Sequence, residues 1–178
     1  MPFLMLKEVP RYECLREASA RVPGADPSLC EVFLHLLHTG DVAARAEAAF
    51  LARHGLNQAR LIILMLLDTA ETGSMRSSEL ADHAAVSRAT ITGLLDTLEK
   101  SGLISRAQDP HDRRASSVKI TRKGETLLSQ VRPALFQWTA GTLSSLTAKE
   151  RMQLVGLLRK TQQAFAGDVP AGRNESHL

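Results

Sequence analysis

The sequence predicts a mainly α-helical fold interrupted by one small β-hairpin. Three observations point that way. Apolar residues make up 44% of the 178 positions but aromatics only 4%, so the core must be built from Leu, Ile, Val and Ala, a palette that suits helices better than a sandwich of sheets. Apolar residues recur at helical spacing along most of the chain. Only 103–121 departs from it, with two short strand-like runs around a polar, turn-rich tip.

Residues 1–25 read as an N-terminal extension, in which Pro10 and the pair Pro23 and Gly24 bracket a short helix over 11–21. Asp26 and Pro27 open the first long helix, since Asp accepts backbone N–H bonds as N-cap and Pro suits the first helical position. Leu29, Phe33, Leu36 and Leu37 set its period, and Gly55 ends it. A helix approaching 30 residues needs a partner to cover it. Asn57 caps a second helix reaching Thr72. Its middle, 61–67, is apolar on every face, which predicts burial all round. Ser77 and Ser87 cap two short helices, 78–85 and 88–100, and Gly102 stops the second. The strand-like runs are 103–107 and 116–121, with the charged tip QDPHDRR between them. Thr121 caps a long helix to Ser144, with a kink expected at Pro133. Thr147 and Glu150 form a capping box for a last helix to Phe165. The polar end, 167–178, reads as a flexible tail.

Composition narrows the function classes. Cys14 and Cys30 are too few for a disulfide framework and read as reduced thiols of a cytoplasmic protein. The apolar start of the chain is too short for a signal peptide, and no run approaches the roughly 20 residues that span a bilayer. No phosphate-binding glycine loop, zinc-protease motif or nucleophile elbow is present, so no enzyme is expected. No cofactor is expected, and no metal, because no Cys/His cluster has ligand spacing. The net charge is only +3, but 87–123 holds eight basic residues against four acidic ones. The positive excess therefore sits in about one fifth of the chain, which suits a polyanion-binding surface.

The two short helices carry the main constellation. Ile91, Leu94, Leu95 and Leu98 fall at i, i+3, i+4 and i+7 and form an inward stripe, matched by Leu80, Ala84 and Val86. Two helices joined by a three- to four-residue turn make a helix-turn-helix. At 100° per residue, the opposite face carries Ala89, Thr92, Gly93 and Asp96, flanked by Arg88 and Thr90. Small and hydroxyl side chains allow close approach to a major groove, and Arg reaches base edges and phosphates. Gly93 costs about 1 kcal/mol against Ala inside a helix, a cost that makes sense where a side chain would meet DNA. Arg113 and Arg114 stand at the hairpin tip, where Arg suits a narrow, negative minor groove. The competing reading of both is solvated surface charge.

The stretch LADHAAVSRATITGLLDTLEKSGLI (80–104) resembles the helix-turn-helix core of the MarR family of regulators. DPHDRR (109–114) and VKITRKG (118–124) resemble its wing signature: Asp112, Arg114 two positions later, then Ile120, Thr121 and Gly124 opening the next helix. The resemblance spans about 26–165 and adds a longer N-terminal extension than many members carry. It implies a mainly α fold with a β-hairpin wing: a winged helix-turn-helix DNA-binding domain over 57–121, and a helical dimerisation region over 26–56 and 122–166. It implies a homodimer reading a pseudo-palindromic operator in double-stranded DNA, most often as a repressor. Ser87, Arg88, Thr90 and Thr92 would face the major groove, and Arg114 would enter the minor groove. Asp112 would steady the wing by pairing with a basic group such as Arg88. Lys100, Arg106 and Lys123 would meet phosphates.

Many members also bind a small aromatic carboxylate or phenol between the dimer helices and the DNA-binding lobe, which changes the spacing of the two recognition helices. Phe33, His35, His38 and Arg60 are the candidates for such a pocket here, against the alternative of a solvated polar face. A second alternative is a thiol-based redox-sensing repressor using Cys30. It lacks the activating tyrosine in the second helix, since the only Tyr is Tyr12. A third is a winged-helix protein-interaction module without DNA binding, which would not need Arg88, Arg113 and Arg114.

Overall fold

The computed structural model describes residues 8–108 and 116–168. Its elements are α1 (Tyr12–Ser19), α2 (Pro27–Ala52), α3 (Gln58–Thr69), β1 (Met75–Arg76), α4 (Ser77–His83), α5 (Arg88–Lys100), β2 (Ile104–Gln108), β3 (Ser116–Ile120), α6 (Arg122–Thr142) and α7 (Ala148–Asp168). The chain forms two compact units, Met1–Leu128 and Ser129–Leu178. The strands make a three-stranded antiparallel sheet in the order β1-β3-β2.

Helix starts follow local chemistry. Asp26 accepts from the Ser28 backbone N–H at 2.8 Å and from its hydroxyl at 2.7 Å. Those two bonds, the hydroxyl first, hold its carboxyl below the usual range. Asn57 caps α3 by accepting from Arg60 N at 2.9 Å. The box at α7 is formed: Thr147 N donates to Glu150 Oε2 at 2.7 Å, and Glu150 N donates to the Thr147 hydroxyl at 3.3 Å. Pro133 stands inside α6, which remains one helix from Arg122 to Thr142.

Three sequence expectations need correction. The strand β1 is not signalled locally, because its two residues are extended only by pairing with β3, Met75 with Val118 and Arg76 with Ser117. That pairing makes Arg76 the N-cap and puts Ser77 inside α4, where the Glu79 carboxylate accepts the Arg76 N–H at 2.9 Å. It also requires the chain to leave α3 at Thr69, ahead of Thr72. Finally, α3 is not buried all round: Leu61, Ile63, Leu64 and Leu67 are buried, whereas Ile62 and Met65 reach the surface.

The core of the first unit joins Leu51 and Leu56 to the inner side of α3, Leu80 and Ala81 of α4, Ile91, Leu95 and Leu98 of α5, and Leu103, Ile104, Val118 and Leu128. Each fully buried Leu or Ile contributes about 1.5–3 kcal/mol, so α5 is anchored by one side alone. The turn between α4 and α5 places Ala85 at φ 51°, a left-handed conformation costing about 1–2 kcal/mol outside glycine. Val86 N donating to Ala81 O at 3.1 Å helps to close it.

Candidate nucleic-acid interface

Serine 87 sets the start of α5. Its Oγ accepts from Thr90 N at 3.1 Å and lies 2.8 Å from the Thr90 hydroxyl. With Ile91, Leu95 and Leu98 turned inward, the 100° step leaves Ala89, Thr92, Gly93 and Asp96 outward, and all four are exposed. The Thr92 hydroxyl donates to Arg88 O at 2.9 Å, so its donor is satisfied within the helix. A Cβ on Gly93 would meet nothing within 4 Å, so packing inside the chain gives no reason for a glycine there. Ser87, Arg88, Thr90 and Lys100 are exposed on the same helix or its cap.

At its base the hairpin joins α5 and α6 through Thr121. The Thr121 hydroxyl donates to Gly102 O at 2.7 Å and accepts from Gly124 N at 3.2 Å, while Thr121 N donates to Leu103 O at 3.0 Å. A Cβ on Gly124 would lie 2.4 Å from Leu103 O and 2.7 Å from Ile120 Cγ1. The Thr-x-x-Gly element is therefore a packing requirement of the hairpin base.

The basic candidates divide. Lys123 is exposed, but its Nζ donates to Ser101 O at 2.8 Å, where it complements the C-terminal end of α5. Arg106 is taken up by two carboxylates of α5: Nη2 donates to Asp96 Oδ1 at 2.6 Å, and Nε lies 3.4 Å from Glu99 Oε2, an ion pair without a hydrogen bond. Asp112, Arg113 and Arg114, and with them the pairing of Asp112 with Arg88, lie outside the described residues. Lys119 joins the candidates. It stands between Val118 and Ile120 on β3, so strand alternation turns it outward, and it is exposed. The period-2 signal for this was present in the sequence.

Three of the four effector-pocket candidates lie on α2 and the fourth, Arg60, on α3. Phe33 and His35 are exposed and His38 half-buried on α2. Arg60 Nη1 donates to Gly55 O at 3.3 Å across the corner between α2 and α3. A hollow along α7, lined by Arg151, Met152, Val155, Gly156 and Arg159, includes none of the four. Cys14 and Cys30 are both exposed thiols. No helix among the described residues is long and apolar enough to cross a membrane.

A helix-turn-helix closed by a short sheet, with a polar outer face on its second helix, is a winged helix-turn-helix module. The MarR family model matches 56–116, from just before α3 to the first residue of β3. The HTH-type transcriptional repressor YetL of Bacillus subtilis is 31% identical over 153 residues, covering 86% of this chain and 92% of its own. The chain belongs to the MarR family of transcription regulators. Among solved structures, Bordetella bronchiseptica BpsR, described with the regulation of its DNA binding by 6-hydroxynicotinic acid, is 27% identical. Its TM-score is 0.59, covering 72% of this chain and 98% of BpsR. A mutant MarR of E. coli complexed with operator DNA is 25% identical with a TM-score of 0.62, covering 71% of this chain and 91% of that one.

Proposed function

We propose that this regulator is a homodimeric repressor that lays α5 in the major groove of each half of a pseudo-palindromic operator. The hairpin tip, through Arg113 and Arg114, enters the adjacent minor groove. The observation that carries the reading is the outer face of α5. It is small, hydroxyl-bearing and open, with free space above Gly93, while on the opposite side Ile91, Leu95 and Leu98 are buried and Leu94 is half-buried. Lys100, Lys119 and Arg122 add exposed positive charge in the same segment.

The dimer is supported by apolar residues that stand exposed on α2 and α7. On α2, Leu29, Val32 and Phe33 fall at i, i+3 and i+4 and are all exposed, Leu29 to 68%. On α7, Met152 and Leu157 are 70% and 64% exposed. Large exposed apolar stripes mark interaction surfaces, and a second copy is the occupant that a two-fold operator calls for. Release by a small aromatic carboxylate is the effector reading. It is supported by the regulation of BpsR by such an acid and by His35, His38 and Arg60 as groups able to meet a carboxylate.

The test is binding to a duplex selected from random DNA, across a salt titration. Wild type should lose affinity steeply as salt rises, because bound cations displace counterions. Arg114→Ala should weaken operator binding by roughly five- to a hundredfold while the chain stays dimeric. Binding without salt dependence, or an unchanged affinity for Arg114→Ala in gel shift, would refute the DNA reading and the wing assignment respectively. Addition of 6-hydroxynicotinic acid should lower operator affinity if this chain shares that effector class.

A further inference from the structure

Arg106 lies on the inner face of the hairpin. Along β2 it stands two residues after buried Ile104 and so shares its face, and its cross-strand partner is the fully buried Val118. Strand geometry therefore points its side chain toward α5 instead of solvent, and only 22% of it is exposed. It meets Asp96 and Glu99, spaced i, i+3 on one side of α5, at 2.6 Å and 3.4 Å. Asp96 also belongs to the outward arc of Ala89, Thr92 and Gly93. An uncompensated carboxylate there would face the phosphates of any duplex laid against that arc, and juxtaposed like charges are strongly unfavourable.

We infer that the Arg106–Asp96–Glu99 cluster is a positioning device. It ties the hairpin to α5 at one angle and cancels the negative charge on the groove-facing side, so Arg106 sets operator specificity without touching phosphate. The inference rests on the reading of α5 as the helix that meets DNA. It reassigns Arg106 from phosphate contact to positioning residue. Because Asp96 is half exposed, water and salt screen the pair, so its removal leaves the fold in place and acts on the mutual orientation of two DNA-reading elements.

The decisive variant is the full-length double substitution Asp96→Asn/Arg106→Gln, which leaves the net charge unchanged. Affinity for the selected operator should fall about fivefold, the scale of one partly exposed ion pair. Affinity for a random-sequence duplex and the slope of log affinity against log salt should stay at the wild-type values. A slope lower by about 0.9 with weaker binding to both duplexes would make Arg106 a phosphate contact and overturn the inference. Unchanged affinity for both would overturn it as well. Arg106→Lys provides the second arm if the double variant loses its circular dichroism. It keeps the charge but lacks the planar guanidinium that bonds Asp96 while lying beside Glu99, so operator affinity should fall at constant slope, whereas a phosphate contact would be retained. A wild-type slope near zero is separate from all of these and would remove the DNA reading itself.

Discussion

Helices α5 and α7 make opposite use of the same kind of residue. On α5, Ile91, Leu95 and Leu98 are all but fully covered by their own chain, and what remains outside is polar or small. On α7, Met152, Leu154, Val155, Leu157, Leu158 and Phe165 are all exposed. Both helices begin at a well-formed cap, so neither differs in how it starts. The difference lies in what is available to cover them. α5 packs on α3, α4 and the sheet within one unit, whereas α7 offers its apolar residues outward. An apolar stripe therefore states that a helix must be covered and leaves open by which chain.

The sharpest way to break this contrast is Leu157→Glu. A charge carried into an interface between copies and left unpaired there costs about 3–5 kcal/mol. Sedimentation should show the mass of one chain where wild type shows two, and operator affinity should fall with it. Wild-type mass for the variant would mean that the exposed face of α7 is simply solvated. Gly93→Ala tests the outer side of α5 with a smaller effect. Nothing inside the chain opposes the methyl, so the thermal midpoint should rise with a gain of up to about 1 kcal/mol. Operator affinity should fall, because the added methyl occupies the approach to the groove. A gain in both stability and affinity would place the DNA elsewhere.

The smallest effect concerns the start of α7. The Thr147 backbone N–H, and after it the Thr147 hydroxyl, hold the Glu150 carboxyl below the usual glutamate range. A lowered folded-state value means that the stabilisation is full above the ordinary range near about 4.3 and is lost as pH falls through the lowered value. Far-ultraviolet circular dichroism should show the helix signal loosening on that acid limb in wild type. In Glu150→Gln the pH dependence from this group should vanish. An identical acid limb in both would show that the box does not titrate with the helix.

Much of the fold was legible because its signals are local. Asp26, Asn57, Ser87 and Thr147 are caps whose side chains reach backbone groups two or three residues away, so the bonds that they make depend on nearby sequence alone. The stripe of α5 and the outward Ala89, Thr92 and Gly93 follow from the 100° step. β1 was not legible: Met75 and Arg76 are extended because β3 lies beside them, more than 40 residues along the chain. The Ala85 turn had no glycine to announce it, and tertiary closure of α4 onto α5 imposes its left-handed backbone.

The candidate site divides in the same way. Arg88, Thr90 and Thr92 were readable as an exposed helical face from spacing. The roles of Arg106 and Lys123 were not, since a count of positive charges does not distinguish a cation turned to solvent from one engaged by Asp96 and Glu99 or by Ser101 O. Gly124 was visible as part of a motif, but its cause, a backbone carbonyl where a Cβ would stand, appears only once the strand and helix meet.

The chain by itself determined where helices start, which sides of them are apolar and which segment concentrates positive charge, because those properties depend on neighbours a few residues away. Tertiary structure alone decided which cations are already paired, which glycine is required by packing and which apolar faces stay open. Each of these depends on groups far apart in sequence that only folding brings within a few ångströms.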